Sequence, residues 1–577
     1  MDKHEVARIL DEIGVLLSLK NENPFRIRAY HNAARAVENL DEDLELLVRE
    51  ERLEDVPGIG AHTAEKIATL VATGKLPYYE KLKKSIPSGL LELLKVPGLG
   101  AKKVQILHQK LKIKTTQDLI DACKKGRVAK LAGFGEKTQE KILNGITQIN
   151  RYGKRVLFWD AMQAAKFILE GLSKLKAVEK VELAGSLRRK LETIGDLDFL
   201  VATESPKAVI DWFVTQHWVS SVISKGPSKA SIRLSKSGQQ VDLRVISEEQ
   251  FPFALMYFTG SKEHNIHMRQ RTLAKGFSLS EYGFEPTGKK TALKLPKKLS
   301  SEEEIFKFLG LDYIPPELRE DMGEIDAAEK NKLPTLVEEK DIRGVFHSHT
   351  TDSDGHNTLE EMVRGAQELG WEYIGIADHS KSSYQANGMD EKRLLAQAER
   401  IQKLNRSKKF STHIFAGVEC DILTNGSLDF PNSILKELDY VIVAIHRSFQ
   451  LDEKKMTARL IKAIENPYTT MVAHPTGRLL LRREPYTINI PKIIDAAIAN
   501  GKIIELNAQP MRLDMDWRHW HKAKEKGLKC SINPDAHSVH DLQYFRAGIN
   551  CARKGWLEKR DVINTLTLAK MTALLKK

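Results

Sequence analysis

Cysteine is scarce in this chain: 577 residues hold four, Cys123, Cys420, Cys530 and Cys551, and no two form a Cys-x-x-Cys pair. That spacing suits a reducing compartment and offers no thiolate zinc site, so any metal must be held by His, Asp and Glu. No run of about eighteen apolar residues occurs, which leaves no candidate for a membrane-spanning helix. The opening stretch MDKHEVARILDEIGVLL lacks the basic start, apolar core and small-residue cleavage site of a signal peptide. The expectation is a chain that begins there and works in the cytoplasm. What is present in excess is positive charge, +13 overall with a pI near 9.2. An anionic partner follows, with nucleic acid leading because neutralised phosphates release condensed counterions. Net charge alone discriminates poorly. The length exceeds what one core can organise, so three or more domains are expected.

Residues 1 to about 150 read as short helices, with apolar residues at helical spacing in VARILDEIGVLL and ILHQKL. A glycine motif recurs among them: Val56-Pro57-Gly58-Ile59-Gly60, Val96-Pro97-Gly98-Leu99-Gly100 and, more loosely, Ala132-Gly133-Phe134-Gly135. From about 150 to 250 the pattern changes to alternating strands, VELAGSL, DLDFLVA, SIRLS and QVDLRVI, with helices between them. A smaller segment runs to about 318. The stretch 315–341, with three prolines and many acids, reads as a linker; a semi-flexible spacer and a packed interface are equally compatible with it. From 342 onward, GVFHSHT, YIGIADH, YVIVAIH, TMVAHP, KIIELNA and KCSINPDAH alternate with helices, as in a parallel βα barrel.

Asp196 and Asp198 stand two apart in a strand and share a face. Asp242 alternates against Val241, Leu243 and Val245 in another strand, so three carboxylates can converge. Oxygen-only ligands suit Mg²⁺, and a pair of such ions clamps both oxygens of an in-line phosphoryl displacement. Upstream, Gly185-Ser186 with Arg188 and Arg189 offers a tight turn and guanidinium forks for a triphosphate. An Asp-x-Asp alone is usually a polar strand end. The combination follows the nucleotidyltransferase pattern. The downstream Tyr257-Phe258-Thr259-Gly260-Ser261, with Asn265 and Arg269, resembles the nucleotide-binding segment of DNA polymerase beta. The resemblance implies that the aromatic pair lies under the incoming deoxyribose, and that Asn265 and Arg269 contact the minor groove of the nascent base pair. It therefore implies a deoxynucleotide substrate.

Each Gly-x-Gly hairpin, followed by a helix, presents backbone N–H groups suited to phosphate whatever the base. Gly58, Gly60, Gly98, Gly100, Gly133 and Gly135, with Lys102, Lys103 and Lys137 nearby, are candidate DNA contacts. Their spacing resembles the helix-hairpin-helix elements of family X. The stretch from Pro24 to Gly60 resembles that family's 5′-phosphate-binding domain. Lys66 falls at the position of the Schiff-base lysine there, which implies 5′-deoxyribose phosphate lyase activity, although His62 stands where animal enzymes carry a supporting lysine. A reactive amine also needs its pKa lowered by burial or neighbouring cations.

His347-Ser348-His349 places two imidazoles on one strand face. Asp354, His379, Glu419, His446, His474, Asp535 and His537 each end or follow an apolar strand or turn. Six of the 18 histidines recur in this way. A lone histidine is more often a satisfied core residue, but nine such positions at strand ends can meet at one barrel mouth. Imidazole with carboxylate suits zinc, manganese or iron, with open positions for a hydrolytic water. HSHTTDSDG, IADHS, GVECDIL, AIHRSF, AHPTGR and NPDAHS resemble the PHP domain of family X polymerases. That resemblance implies all nine as ligands, a Zn²⁺ or Mn²⁺ cluster, 3′–5′ exonuclease activity, and in some members AP-endonuclease or 3′-phosphatase activity. Arg478 is a further candidate phosphate contact or else a solvated side chain, and Arg447 and Pro534 are less usual neighbours of the ligands.

The fold class expected is multidomain α+β and α/β: a helical helix-hairpin-helix region, a nucleotidyltransferase palm with thumb, and a PHP (βα)7-like barrel. The expected boundaries are 1–80 lyase-like, 81–150 fingers, 151–250 palm, 251–318 thumb, 319–341 linker and 342–577 PHP. The function implied by the resemblance is short-gap filling in base excision repair. Its palm would use Mg²⁺ or Mn²⁺, its partners would be gapped or primer-template DNA and deoxynucleoside triphosphates, and it would act as a monomer away from membranes. Two competing readings are a phosphatase of small monoesters that the front half delivers to DNA, and a front half that is only a non-catalytic DNA-binding scaffold.

Overall fold

The computed structural model describes residues 3–38, 40, 44–94, 96, 98–152, 155–287, 294–296 and 298–576, so Pro97 of the second glycine repeat lies outside the described residues. The chain forms two compact units, 1–153 and 154–577.

In the first unit, Val6, Leu10, Ile13 and Leu17 recur at helical spacing along Lys3–Leu19. They are buried in one core with Tyr30, Ala33 and Val37 of Pro24–Glu38. The same core continues through Ile67, Leu93, Val104 and Leu119 to Ile146, because each short helix has only one apolar face to bury. The glycine repeats are the turns between these helices. Gly58, Gly98 and Gly133 have φ of +99°, +83° and +85°, a region that costs an L-side chain free energy. Helices Ala61–Thr73 and Ala101–Leu111 start directly after Gly60 and Gly100, and the third begins at Gly135.

The second unit opens with a five-stranded mixed sheet. Its order is Lys180–Leu183, Asp196–Ala202, Gln240–Ile246, Lys229–Leu234 and Val219–Lys225. Only the second and third strands run parallel, and their register sets Asp198 directly beside Asp242. Alternation does the rest: Leu197, Phe199, Val241 and Leu243 go into the core, which leaves the carboxylates on the other face. The edge strand Val219–Lys225 was not foreseen, since its serines and solvent-facing residues blur the strand signal. Helices Phe251–Thr259 and Lys262–Ala274 follow, then the hairpin Phe277–Ser280 with Gly283–Pro286.

The stretch 315–341 settles as the packed alternative. Leu318, Ile325, Ala328 and Leu336 are buried with Ile305, Phe306 and Trp556. Arg319, fully buried, donates to Glu302 at 2.6 Å. Glu317 is bound by Arg553 at 2.9 Å. This is a joint between domains rather than a spacer.

Beyond it, seven parallel strand stations form a ring: Gly344–Ser348, Tyr373–Ile376, the bent pair His413–Ala416 and Glu419–Asp421, Ile442–Ala444, Met471–Val472, Ile503–Asn507 and Cys530–Asn533. Backbone bonds from His349 to Ala536 (2.8 Å) and from Ala536 to His347 (3.2 Å) tie the first strand to the last. The (βα)7-like barrel expected from the sequence is thus present. The bent pair was missed as a strand because Gly417 breaks its apolar run.

Among the described residues, no helix is long and apolar enough to cross a membrane.

Candidate active sites

In the sheet, ligand oxygens of Asp196, Asp198 and Asp242 lie within 4.8 Å of one another. Burial, followed by repulsion from Asp196 and Asp242, raises Asp198 from the usual 3.8 to about 7. Three carboxylates this close, with one driven to hold a proton, fit a site for divalent cations. Gln240 donates to Asp242 Oδ1 at 3.1 Å, and the Lys229 ammonium stands 3.6 Å from Oδ2. Gly185 approaches so closely that a Cβ there would lie 2.0 Å from Asp198 Oδ2. With φ +61° besides, this position admits only glycine.

The nearby arginines are less free than their spacing suggests. Arg188 holds Glu302 through both Nη atoms at 3.0 and 2.7 Å and donates to Thr259 Oγ1 at 2.7 Å. Arg189 donates to Glu320 at 2.9 Å and to the Thr259 carbonyl at 2.5 Å. Both guanidinium groups are therefore engaged within the protein, and the fork expected at the triphosphate is closed here. Ser186 lies in the short helix Gly185–Arg188 after Ala184, whose N–H bonds Asp198 O.

Tyr257 and Phe258 end the helix Phe251–Thr259, with their rings edge to face at 5.2 Å. Gly260 turns the chain, and Ser261 caps the next helix by accepting from His264 N. Asn265 donates to Tyr257 O at 2.7 Å, which fixes the aromatic pair from behind, and Arg269 on the same helix is exposed. The Arg244 guanidinium, unforeseen from sequence, lies 4.2 Å over the Phe258 ring.

In the helical unit, the Lys66 side chain is buried beneath Tyr78, 5.4 Å from the ring centroid, and donates to His62 O at 3.0 Å. Burial lowers its pKa; Arg26 adds to this and Glu65 opposes it. His62 thus contributes a backbone carbonyl to the lysine. A Cβ added at Gly60, Gly98, Gly100, Gly133 or Gly135 would meet nothing within 4 Å, so these turns are open to an approaching backbone. Gly58 instead packs near Asn32 and Ala36. Lys102 and Lys137 are exposed, whereas Lys103 reaches back to Gly98 O.

At the barrel mouth the nine expected residues meet. They form overlapping groups: His349, Asp354, His379 and His537; His347, His474 and Asp535; His347, His349 and Glu419; and His379, Glu419 and His446. Glu419 is central, with His474 at 2.8 Å, His379 at 2.8 Å, His446 at 3.2 Å and His347 at 3.3 Å. Burial would raise its pKa, but the surrounding imidazoles outweigh that and hold it well below the usual carboxylate value. Among the described residues, six buried polar atoms of the cluster make no hydrogen bond of normal geometry although carboxylate and imidazole atoms crowd them, His379 Nδ1 and Glu419 Oε2 at 2.8 Å from each other: His347 Nε2, His349 Nδ1 and Nε2, His379 Nδ1, Glu419 Oε2 and His474 Nδ1. Buried donors and acceptors are normally satisfied, and imidazole and carboxylate atoms crowded together without hydrogen-bonding geometry are what a group of divalent ions requires.

Sequence reasoning missed the residues that orient these imidazoles. Glu505 accepts from His347 Nδ1 at 2.6 Å, and Asp421 from His446 Nδ1 at 2.8 Å. Each leaves Nε2 facing the cluster. Burial lowers the basicity of His446, yet Glu419 and Asp421 raise it to about 10. A signal was available, since Glu505 is a lone acid in the apolar strand IIELN and Asp421 stands two residues after Glu419 on the same face. Arg478 is not a solvated side chain: it is buried against Asp516, Arg512 O and Leu513 O. Arg512 lines the cavity instead, 3.3 Å from Asp535. The cavity over the cluster measures about 450 Å³.

A carboxylate triad on a mixed sheet, joined to a barrel whose mouth gathers nine His, Asp and Glu side chains, defines a nucleotidyltransferase core fused to a metal-dependent phosphoesterase. Comparison with known proteins agrees along the chain. Residues 1–76 match the helix-hairpin-helix domain family, 90–147 the SAM-like helix-hairpin-helix tandem, 254–320 the DNA polymerase beta thumb and 346–509 the PHP domain. The whole chain is 39% identical over 580 residues to the DNA polymerase/3′-5′ exonuclease PolX of Bacillus subtilis, covering 100% of both chains. About the barrel alone, it is 31% identical over 232 residues to a probable phosphatase of Thermoanaerobacter sp., covering 38% of this chain and 89% of that one. A probable phosphatase of Caldanaerobacter subterraneus is 30% identical over 244 residues, covering 39% and 88%. The chain belongs to the family X DNA polymerases that carry a C-terminal PHP domain. It is a DNA polymerase with a phosphoesterase domain, which removes the reading of the front half as a non-catalytic scaffold.

Proposed function

We propose that the chain fills short gaps in DNA during base excision repair and trims 3′ ends in its barrel. The observation that carries this is the presence of two separate ligand sets in one chain, the carboxylate triad and the nine-residue cluster. In the sheet site, Asp196, Asp198 and Asp242 would hold two Mg²⁺ or Mn²⁺ ions, which when bound supply positive charge at the attacking and leaving oxygens. The primer 3′-oxygen bonds the α-phosphorus of a deoxynucleoside triphosphate and pyrophosphate leaves. Asp242, held by Gln240 and Lys229, is the nearest route for the 3′-hydroxyl proton. Tyr257 and Phe258 support the sugar, and Asn265 and Arg269 face the base pair. Ser186 and the backbone at Gly185 receive phosphate oxygens. Arg189 joins them by exchanging Glu320 for the triphosphate.

In the barrel, Zn²⁺ or Mn²⁺ ions held by the nine ligands would supply Lewis acidity and an activated water. Glu505 and Asp421 hold the imidazoles His347 and His446 in the tautomer that faces the cluster. Hydrolysis joins the water oxygen to the terminal phosphorus and releases the 3′-oxygen of the shortened strand. The same chemistry serves an AP endonuclease or a 3′-phosphatase. The phosphatase names of the barrel-sized relatives support small monoesters as a second reading. The buried Lys66, with its lowered pKa, supports 5′-deoxyribose phosphate lyase activity in the helical unit.

The test uses a labelled primer on one-nucleotide gapped DNA with a 5′-phosphate, in Mg²⁺ or Mn²⁺. Asp198→Ala is expected to abolish extension alone, and His349→Ala shortening alone. Wild-type protein that neither extends nor shortens under any metal would overturn the reading, as would hydrolysis of small monoesters in preference to DNA for the barrel.

A further inference from the structure

Tyr384 is 69% exposed and lines the cavity above the barrel cluster. A large aromatic ring left in water at a catalytic mouth contributes nothing to the core, and its neighbours hold it in place. Its turn is anchored to the ligand shell: Ser383 Oγ donates to Asp421 Oδ2 at 2.6 Å, the same carboxylate that accepts from His446. Ser382 binds Asp429 through N (2.7 Å) and Oγ (2.6 Å), and Asn387 donates to Ser353 O at 3.2 Å. The ring is therefore positioned one residue from the catalytic shell on a braced turn, which is what a stacking platform needs.

Arg447, next to the ligand His446, lies 4.7 Å over the Tyr384 ring and also lines the cavity. Among the described residues no carboxylate pairs with its guanidinium. On the cluster side the cavity carries a second cation, Arg512. An aromatic face beside one unpaired guanidinium, with another cation at the metal ligands, matches a nucleotide at a strand end: a π-face for the base and donors for successive phosphates. A small phosphate monoester would use the cluster and Arg512 but leave Tyr384 idle.

We propose that Tyr384 stacks the 3′-terminal base of a DNA strand in the barrel site, with Arg447 holding the adjoining phosphodiester. This makes Tyr384 a positioning residue that selects polynucleotide ends over small esters. The inference rests on the exonuclease reading above.

The test compares kcat/KM for two single-stranded oligonucleotides, one ending in an ordinary nucleotide and the other in a 3′-terminal tetrahydrofuran residue that has no base. Wild-type protein is expected to favour the base-bearing end about tenfold, the worth of one base–aromatic stack. Tyr384→Phe should keep that ratio, and Tyr384→Ala should bring it to about one, mainly through KM. A ratio near one in the wild type overturns the proposal. So does a ratio that survives Tyr384→Ala while both rates fall, because that is the mark of a merely structural role. If wild-type protein shortens neither strand, the exonuclease reading fails on its own, and the stack is then read by ultraviolet cross-linking in EDTA. A 3′-terminal 5-iodouracil should form an adduct at Tyr384, and adducts found only elsewhere in the chain overturn the proposal.

Discussion

Asp198→Asn should make the metal-free protein more stable while abolishing DNA synthesis. Burial and the facing carboxylates of Asp196 and Asp242 raise Asp198 from 3.8 to about 7. At 1.36 kcal/mol per pH unit, ionising it in the fold costs about 4 kcal/mol relative to the unfolded chain. The sign follows from the direction of the shift. With the folded value above the unfolded one, stability is greatest below pH 3.8, falls as pH rises to about 7 and carries the full cost beyond. An amide has no charge to lose, so at pH 8 in EDTA the variant gains about 4 kcal/mol. If 154–577 unfolds as one body, at about 2.1 cal/mol/K per residue, this raises Tm by about 4–5 °C. At pH 5 the gain shrinks to about 2 kcal/mol, since the wild-type carboxyl is then mostly protonated. Mg²⁺ should raise Tm in the wild type by neutralising the triad and should do so far less in the variant. The assay is calorimetry in EDTA at the two pH values, followed by Mg²⁺ titration and primer extension. A lower Tm for Asp198→Asn at pH 8 in EDTA would refute the reasoning, because it would mean that the carboxylate stabilises the empty site.

Glu505→Gln removes the acceptor charge at His347 Nδ1 and should weaken metal retention in the barrel by about 10- to 100-fold. Metal content after dialysis reads this directly, and primer extension should persist. Lys554, fully buried, donates to Arg189 O at 3.0 Å, Glu317 O at 3.3 Å and the Glu320 carboxylate. Lys554→Met should therefore cost about 3–5 kcal/mol in denaturant unfolding of the full chain, and an unchanged midpoint would count against a role in joining the sheet to the barrel. Gly60 and Gly100 have φ of −101° and −79° with open space where a Cβ would sit. Changing both to Val replaces two N-cap glycines with a poor capping residue and should cost about 1 kcal/mol per cap, while gapped-DNA binding by the folded protein should weaken about tenfold, and equal binding would exclude backbone contact at these turns.

That Asp196, Asp198 and Asp242 converge, and that nine His, Asp and Glu side chains meet at the barrel mouth, was legible in the sequence for one physical reason. Strand alternation fixes which side chains share a face, and strand ends of a parallel ring all meet at one mouth. The glycine repeats were legible because φ near +90° at Gly58, Gly98 and Gly133 leaves little choice of residue. The family resemblance extended those local patterns to roles that spacing alone does not assign.

Tertiary structure decided what depends on distant partners. Composition left 315–341 open as a spacer or a packed interface, and Ile325 and Arg319 are buried there, because the acids and arginines that mark a solvated linker also serve as paired charges in a joint. Arg189 pairs with Glu320, 131 residues away, and Arg478 with Asp516, 38 residues away. No local signal distinguishes such an arginine from one that awaits a phosphate. Glu505 meets His347 across 158 residues, and Tyr384 becomes a platform only once Asp421 and Arg447 are brought to it. Side-chain periodicity is a property of a few consecutive residues and survives in the sequence; charge pairing and exposure are properties of the closed fold and exist only after the chain has brought its distant parts together.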